Sequence, residues 1–101
     1  MKMKAGVDLA GVSWRMFVAS IIIEPVFVLN GSDLTITAGV DGTHMAKSKH
    51  YEGLALDYRT RDLAADKVPT VAAQCLTLLA PLGYDVVLEG DHLHVEYDPK
   101  T

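Results

Sequence analysis

Apolar residues recur at helical spacing early in the chain. Val12, Trp14, Phe17, Val18, Ile21 and Ile22 fall within residues 8–29, and Asn30-Gly31 supplies a stop. A first helix is predicted there. Pro25 lacks a backbone donor, so the helix is expected to end or kink at that point and leave residues 26–29 as a separate extended piece. The period then changes. Residues 33–37 alternate, with Leu34 and Ile36 on one face and Thr35 and Thr37 beside them, which predicts a short strand. Residues 54–59 alternate again, with Leu54, Leu56 and Tyr58 on one side and Ala55, Asp57 and Arg59 on the other. Asp57 is therefore expected to face away from the core.

Helical spacing returns in Val68, Val71, Ala72, Cys75, Leu78, Leu79 and Leu82. Asp66 is the candidate N-cap, Pro69 suits the first turn, and Pro81 with Gly83 marks the end. Residues 84–89 and 92–97 alternate on either side of Gly90-Asp91, a pair suited to a two-residue hairpin. Counting outward from the turn sets Glu89 opposite His92, Leu88 opposite Leu93, Val87 opposite His94 and Val86 opposite Val95. Leu88, Leu93, Val86 and Val95 then make the buried face, while Glu89, His92 and His94 share the other. Two helices with a small antiparallel sheet define an α+β class.

At 101 residues, half of them apolar, the chain forms one small domain, residues 1–101, whose core a bound metal would help to stabilise. A net charge of -4, with nine scattered Lys and Arg residues, argues against nucleic acid as a partner. The single cysteine, Cys75, has no internal disulfide partner and reads as core. Lys2 and Lys4 precede apolar residues, but Asp8 and Arg15 interrupt the run, so no signal peptide is read. The longest apolar run, residues 16–23, is too short for a membrane span. These features lead to the expectation of a protein that is cytoplasmic in the producing cell or virion-associated. Trp14 and Tyr51 are expected to be buried, and the oligomeric state is left open.

All four histidines fall in two places: His44 and His50, then His92 and His94. His50 and Asp57 are seven residues apart with Gly53 between them to let the chain bend, and imidazole with carboxylate is ordinary ligation for Zn2+. His50, Asp57 and His94 would leave a fourth position open to water, as in catalytic sites. A closed structural site would draw on thiolates, and the one cysteine lies on another element. Hydrolysis of an amide is the reaction class such a site suits. Glu89 is the first choice of general base, with Asp91 at the turn as the alternative; read blandly, these are a strand-end carboxylate and a turn residue. His92 lies on the ligand face, where it can stabilise an oxyanion or hydrogen-bond a partner. His44 is a catalytic group or a solvated loop histidine, and Arg59 is a clamp for a substrate carboxylate or a solvated side chain.

The run Ser48-Lys49-His50-Tyr51-Glu52-Gly53-Leu54-Ala55-Leu56-Asp57, followed by His92-Leu93-His94, resembles the D-alanyl-D-alanine carboxypeptidase and dipeptidase family of zinc peptidases. It also resembles the hedgehog amino-terminal signalling domain, which shares that fold. The resemblance covers residues 35–98 and rests on a Ser-x-His-x-x-Gly-x-Ala-x-Asp pattern. It implies an α+β fold with zinc held by His50, Asp57 and His94, and the small size looks most like a phage or prophage member acting on a peptidoglycan peptide, for which Ser48 and Arg59 are the candidate contacts. Two features depart from the family. A glutamate is usual three residues before the last ligand histidine, where this chain has Asp91, with Glu89 five before. An arginine is usual upstream of the first ligand, where this chain offers His44, Lys47 and Lys49; the hedgehog-like arrangement also has a histidine at the place of His44. The alternative to a peptidase acting on peptidoglycan is a non-catalytic, metal-stabilised binding or virion-structural module.

Overall fold

A computed structural model describes residues 1–41 and 48–99. The strands are β1 (Lys2–Met3), β2 (Thr35–Ala38), β3 (Ala55–Arg59), β4 (Tyr84–Glu89) and β5 (His92–Tyr97), and the helices are α1 (Trp14–Leu29) and α2 (Val68–Leu79). The strands form one sheet in the order β1-β2-β3-β5-β4. The α+β class is as expected, but the sheet is mixed rather than antiparallel. β1 pairs parallel with β2 because the connection between them runs through α1, a crossover long enough to return the chain in the same direction.

The hairpin register is the one counted from the turn, from Glu89 opposite His92 to Val86 opposite Val95. One face of the sheet carries Leu56, Tyr58, Leu93 and Val95, all fully buried against Met16, Ala19, Ile23 and Phe27 of α1 and Val71, Cys75 and Leu79 of α2. Leu88 is a correction. It was expected on the buried face but is 41 % exposed, because β4 is the outer strand and Leu88 lies nearer the hairpin tip than Val86.

Ser13 caps α1, its hydroxyl accepting the Arg15 N–H at 3.2 Å. The helix runs through Pro25 without ending, contrary to the expected break. A proline inside a helix costs about 3 kcal/mol, whereas full burial of Ile23 and Phe27 on either side contributes about 1.5–3 kcal/mol each. Burial wins, and Asn30 closes the end with its backbone N–H on the Phe27 carbonyl and its side-chain amide on that of Val26. The buried face is also not the one the apolar spacing suggested: Trp14, Phe17, Val18 and Ile21 are exposed, Trp14 by 64 %.

Asp66 does not cap α2. It lies in a 3-10 turn, Ala65–Lys67, and Lys67 precedes the helix without a side-chain hydrogen bond. Pro69 sits in the first turn as expected. Val71, Cys75 and Leu79 form the buried stripe, while Leu78 and Leu82 of the expected series are exposed. A second 3-10 turn, Ala80–Leu82, accommodates Pro81 before the chain reverses at Gly83. Among the described residues, no helix is long and apolar enough to cross a membrane.

Candidate metal centre

The sheet face turned away from the helices carries the polar residues. β3 and β5 are neighbours, and their register sets Asp57 directly opposite His94 and Arg59 opposite His92. Directly opposed residues share a face, so the carboxylate and the imidazole meet across one strand gap. His50 reaches the same place from residues 48–54. There Ser48 Oγ accepts the His50 N–H at 3.1 Å, and the Gly53 N–H bonds the His50 carbonyl at 3.0 Å. Gly53 has φ +72°, and a Cβ there would collide with the Gly11 carbonyl oxygen. The bend read from the sequence is therefore a position only glycine fills. Asp57 does face away from the apolar core, yet it is buried, because the His50 turn packs against it.

Three donor atoms converge. His50 Nε2 lies 3.1 Å from Asp57 Oδ1 and 3.2 Å from His94 Nδ1, and His94 Nδ1 lies 3.0 Å from the same Asp57 oxygen. The outer nitrogens decide what the inner ones offer. His50 Nδ1–H donates to the Gly39 carbonyl at 2.8 Å, and His94 Nε2–H donates to Glu96 Oε1 at 2.8 Å. With those protons outward, neutral His50 and His94 each aim a lone pair at the point that the carboxylate oxygen also faces. Three lone pairs at such separations require a cation or a shared proton among them. Tetrahedral zinc, with bonds of about 2.0–2.2 Å, sets its donors about 3.3–3.5 Å apart, so the triangle need open by only a few tenths of an ångström. The three residues thus form a buried group able to bind a metal ion.

The electrostatics of the three side chains agree. Burial drives the Asp57 carboxyl upward, but hydrogen bonds from His50 and His94 outweigh it and hold the group well below the usual carboxylate range. The Asp57 hydrogen bond, with Glu96 behind it, raises the His94 imidazole to about 9 against the burial that lowers it. At neutral pH a proton on His94 Nδ1 occupies the place a metal would take.

Around this group the other candidates separate. Glu89 Oε1 lies 3.9 Å from both His94 Nδ1 and His92 Nε2, with half of its side chain exposed, so it borders the donor triangle from solvent. Asp91 does not reach it: the side chain is 94 % exposed, and its Oδ1 accepts from His92 Nδ1 at 2.9 Å, the first of the contacts that lower its pKa. His92 bridges outward, with Nε2 3.7 Å from Asp57 Oδ2. Arg59 pairs weakly with Asp62 at 4.0 Å and lines a cleft of about 310 Å³ together with Lys4, Thr37, Arg61, Asp91 and His92. Ser48 is committed to its own turn through the His50 N–H. His44 lies outside the described residues. Tyr51, expected in the core, is 46 % exposed, since it falls on the outside of the His50 turn.

Sequence reasoning missed three contributors. Glu96 orients His94; its period-two spacing from His94 was the available signal. The Gly39 carbonyl, which fixes the His50 tautomer, has no signature in sequence. Lys4 enters the cleft only because the chain's first strand joins the sheet beside β2.

No protein-family model matches the chain, and no curated protein matches it.

Proposed function

We propose that this protein is a zinc-dependent peptidase that hydrolyses a peptide bond in bacterial peptidoglycan stem peptides. The observation that carries this reading is the convergence of His50 Nε2, His94 Nδ1 and Asp57 Oδ1 within 3.2 Å, with a half-exposed carboxylate, Glu89, at 3.9 Å. His50, Asp57 and His94 would hold the zinc. A bound zinc supplies a Lewis acid and lowers the pKa of water toward about 7. The remaining work falls to the chain's own side chains.

Glu89 is the general base. Its carboxylate removes a proton from the attacking water as the C–O bond forms, then passes it to the amine as the C–N bond breaks. Its half-exposed side chain meets the donor triangle from the solvent side, where a substrate would approach. His92 Nε2 lies between Glu89 and Asp57, and with Nδ1–H already given to Asp91 only the doubly protonated ring would have an Nε2–H to donate to the oxyanion that develops on the carbonyl. Arg59 in the adjoining cleft supplies a planar donor for a substrate carboxylate. Gly39 and Glu96 keep the two ligand imidazoles in the required tautomers.

The resemblance of residues 48–57 and 92–94 to D-alanyl-D-alanine peptidases supports this substrate class. The test is mass spectrometry of purified peptidoglycan peptides incubated with the zinc-loaded protein, beside Glu89→Ala and Asp91→Ala variants. A new fragment that disappears with Glu89→Ala and persists with Asp91→Ala is the expected result. A wild type with full zinc content that leaves every wall peptide intact would transfer the protein to the class of metal-stabilised binding modules.

A further inference from the structure

The outward side of α1 carries an apolar seam left exposed among the described residues. Trp14, Val18, Ile21, Pro25 and Val28 follow one another at spacings of four, three, four and three residues, and every one is exposed. That alternation is the a/d repeat of a coiled-coil seam, narrower than the stripe a globular core requires. The core already has its own residues from this helix, Met16, Ala19, Ile23 and Phe27, on the other side. A second helix is the shape that fits a 3.5-residue repeat.

We infer that a second copy of this chain covers the seam, α1 packing antiparallel against α1 about a two-fold axis near Ile21. Such an axis sets Trp14 opposite Val28 and Val18 opposite Pro25, so large side chains meet small ones. A parallel pair would instead stack Trp14 on Trp14. The charges on the helix are engaged within the chain. Arg15 donates to the Tyr97 hydroxyl at 3.1 Å and stacks on the Trp14 and Tyr97 rings, while Glu24 pairs with the Met1 amino group at 2.7 Å. With a net charge of -4, the protein offers little attraction to anionic lipid headgroups either.

Exposed area on α1, with Phe17 and Leu29 flanking the seam, amounts to roughly 700 Å² per copy, so a symmetric pair could bury at most about 1,400 Å², a ceiling that reaches the ~1,200–2,000 Å² of stable interfaces. The candidate metal centre lies on the opposite side of the sheet, so both sites remain open in the pair.

Sedimentation equilibrium of the full chain between about 1 and 200 μM reads the proposal directly. The expected mass at the upper end is twice 10.9 kDa, falling to 10.9 kDa for Val18→Glu and for Ile21→Glu, with circular dichroism unchanged because both side chains are exposed. Leu82→Glu, on the exposed side of the turn after α2, should leave the dimer intact. Ile21→Cys should cross-link to itself under mild oxidation, with the buried Cys75 taking no part. A wild type of 10.9 kDa throughout the range would overturn the inference, as would a dimer that survives both glutamate variants. Co-sedimentation of a monomer with neutral phosphatidylcholine vesicles would assign the seam to lipid and overturn it equally.

Discussion

Raising the pH from 7 to 9 removes the proton that competes for the centre of the donor triangle. His94 titrates at about 9 in the ion-free chain, so at pH 7 its Nδ1 is protonated and donates to Asp57. A metal must displace that proton. Each pH unit below the pKa costs about 1.4 kcal/mol, so the penalty at pH 7 is about 2.7 kcal/mol, a factor of about 100 in apparent affinity. The sign follows from the raised pKa: zinc affinity should rise about tenfold per unit between pH 7 and 9 and then level off. The same proton stabilises the ion-free fold fully below pH 6.5, and that contribution is lost as pH rises through about 9. Competition against a chromophoric chelator at half-unit steps gives the slope, and calorimetry in buffers of different ionisation enthalpy counts the protons released. Close to one proton should leave His94 at pH 7. Glu96→Gln removes a raising influence, so its plateau should begin at lower pH, and above pH 9 the variant should bind more weakly than wild type for want of the charged partner. An affinity flat from pH 7 to 9, with no proton released, would refute the shared donor geometry.

Zinc at about 100 times its dissociation constant should add about 2.7 kcal/mol, raising the Tm in differential scanning calorimetry by about 10–20 °C; chelator should reverse the gain, and His50→Ala should abolish it. Glu89→Gln should lower turnover on the cleaved peptide by about 10²–10⁴ while zinc content by plasma spectrometry stays complete, whereas Asp91→Asn, altering only the exposed partner of His92, should leave both near wild type. Gly53→Ala should cost about 1–3 kcal/mol in urea unfolding and also weaken zinc binding, since the same turn carries His50; loss of stability with unchanged zinc affinity would separate the two.

The hairpin was legible to the residue. Period-two alternation on both sides of Gly90-Asp91 leaves one register that keeps Leu93 and Val95 buried, and that register is the one present. The candidate donors His50, Asp57 and His94 were legible as residue types at characteristic spacing. What spacing could not show is that β3 lies beside β5, a pairing across more than thirty residues of chain that sets Asp57 opposite His94. α1 was legible as a helix but not in its orientation. It is apolar nearly all round, so periodicity offered no reason to prefer Met16 and Ile23 over Trp14 and Ile21 for the core. Pro25 misled because local propensity was weighed without the burial that overrides it. The cleft lining was invisible for a related reason: Lys4, Thr37 and Arg61 meet only through the sheet order.

The position of His50 has one more consequence. It stands 44 residues before His94, and the chain between them includes β3, all of α2 and β4. An ion held by both would close that stretch into a loop, as a disulfide would, in a chain whose single cysteine cannot form an internal one. Closing a loop of that length removes about 4 kcal/mol of disorder from the unfolded chain. Unlike a covalent bridge, this staple opens with acid or a chelator and closes again without an oxidant. The tightness of the C-terminal half would then follow the supply of metal around it.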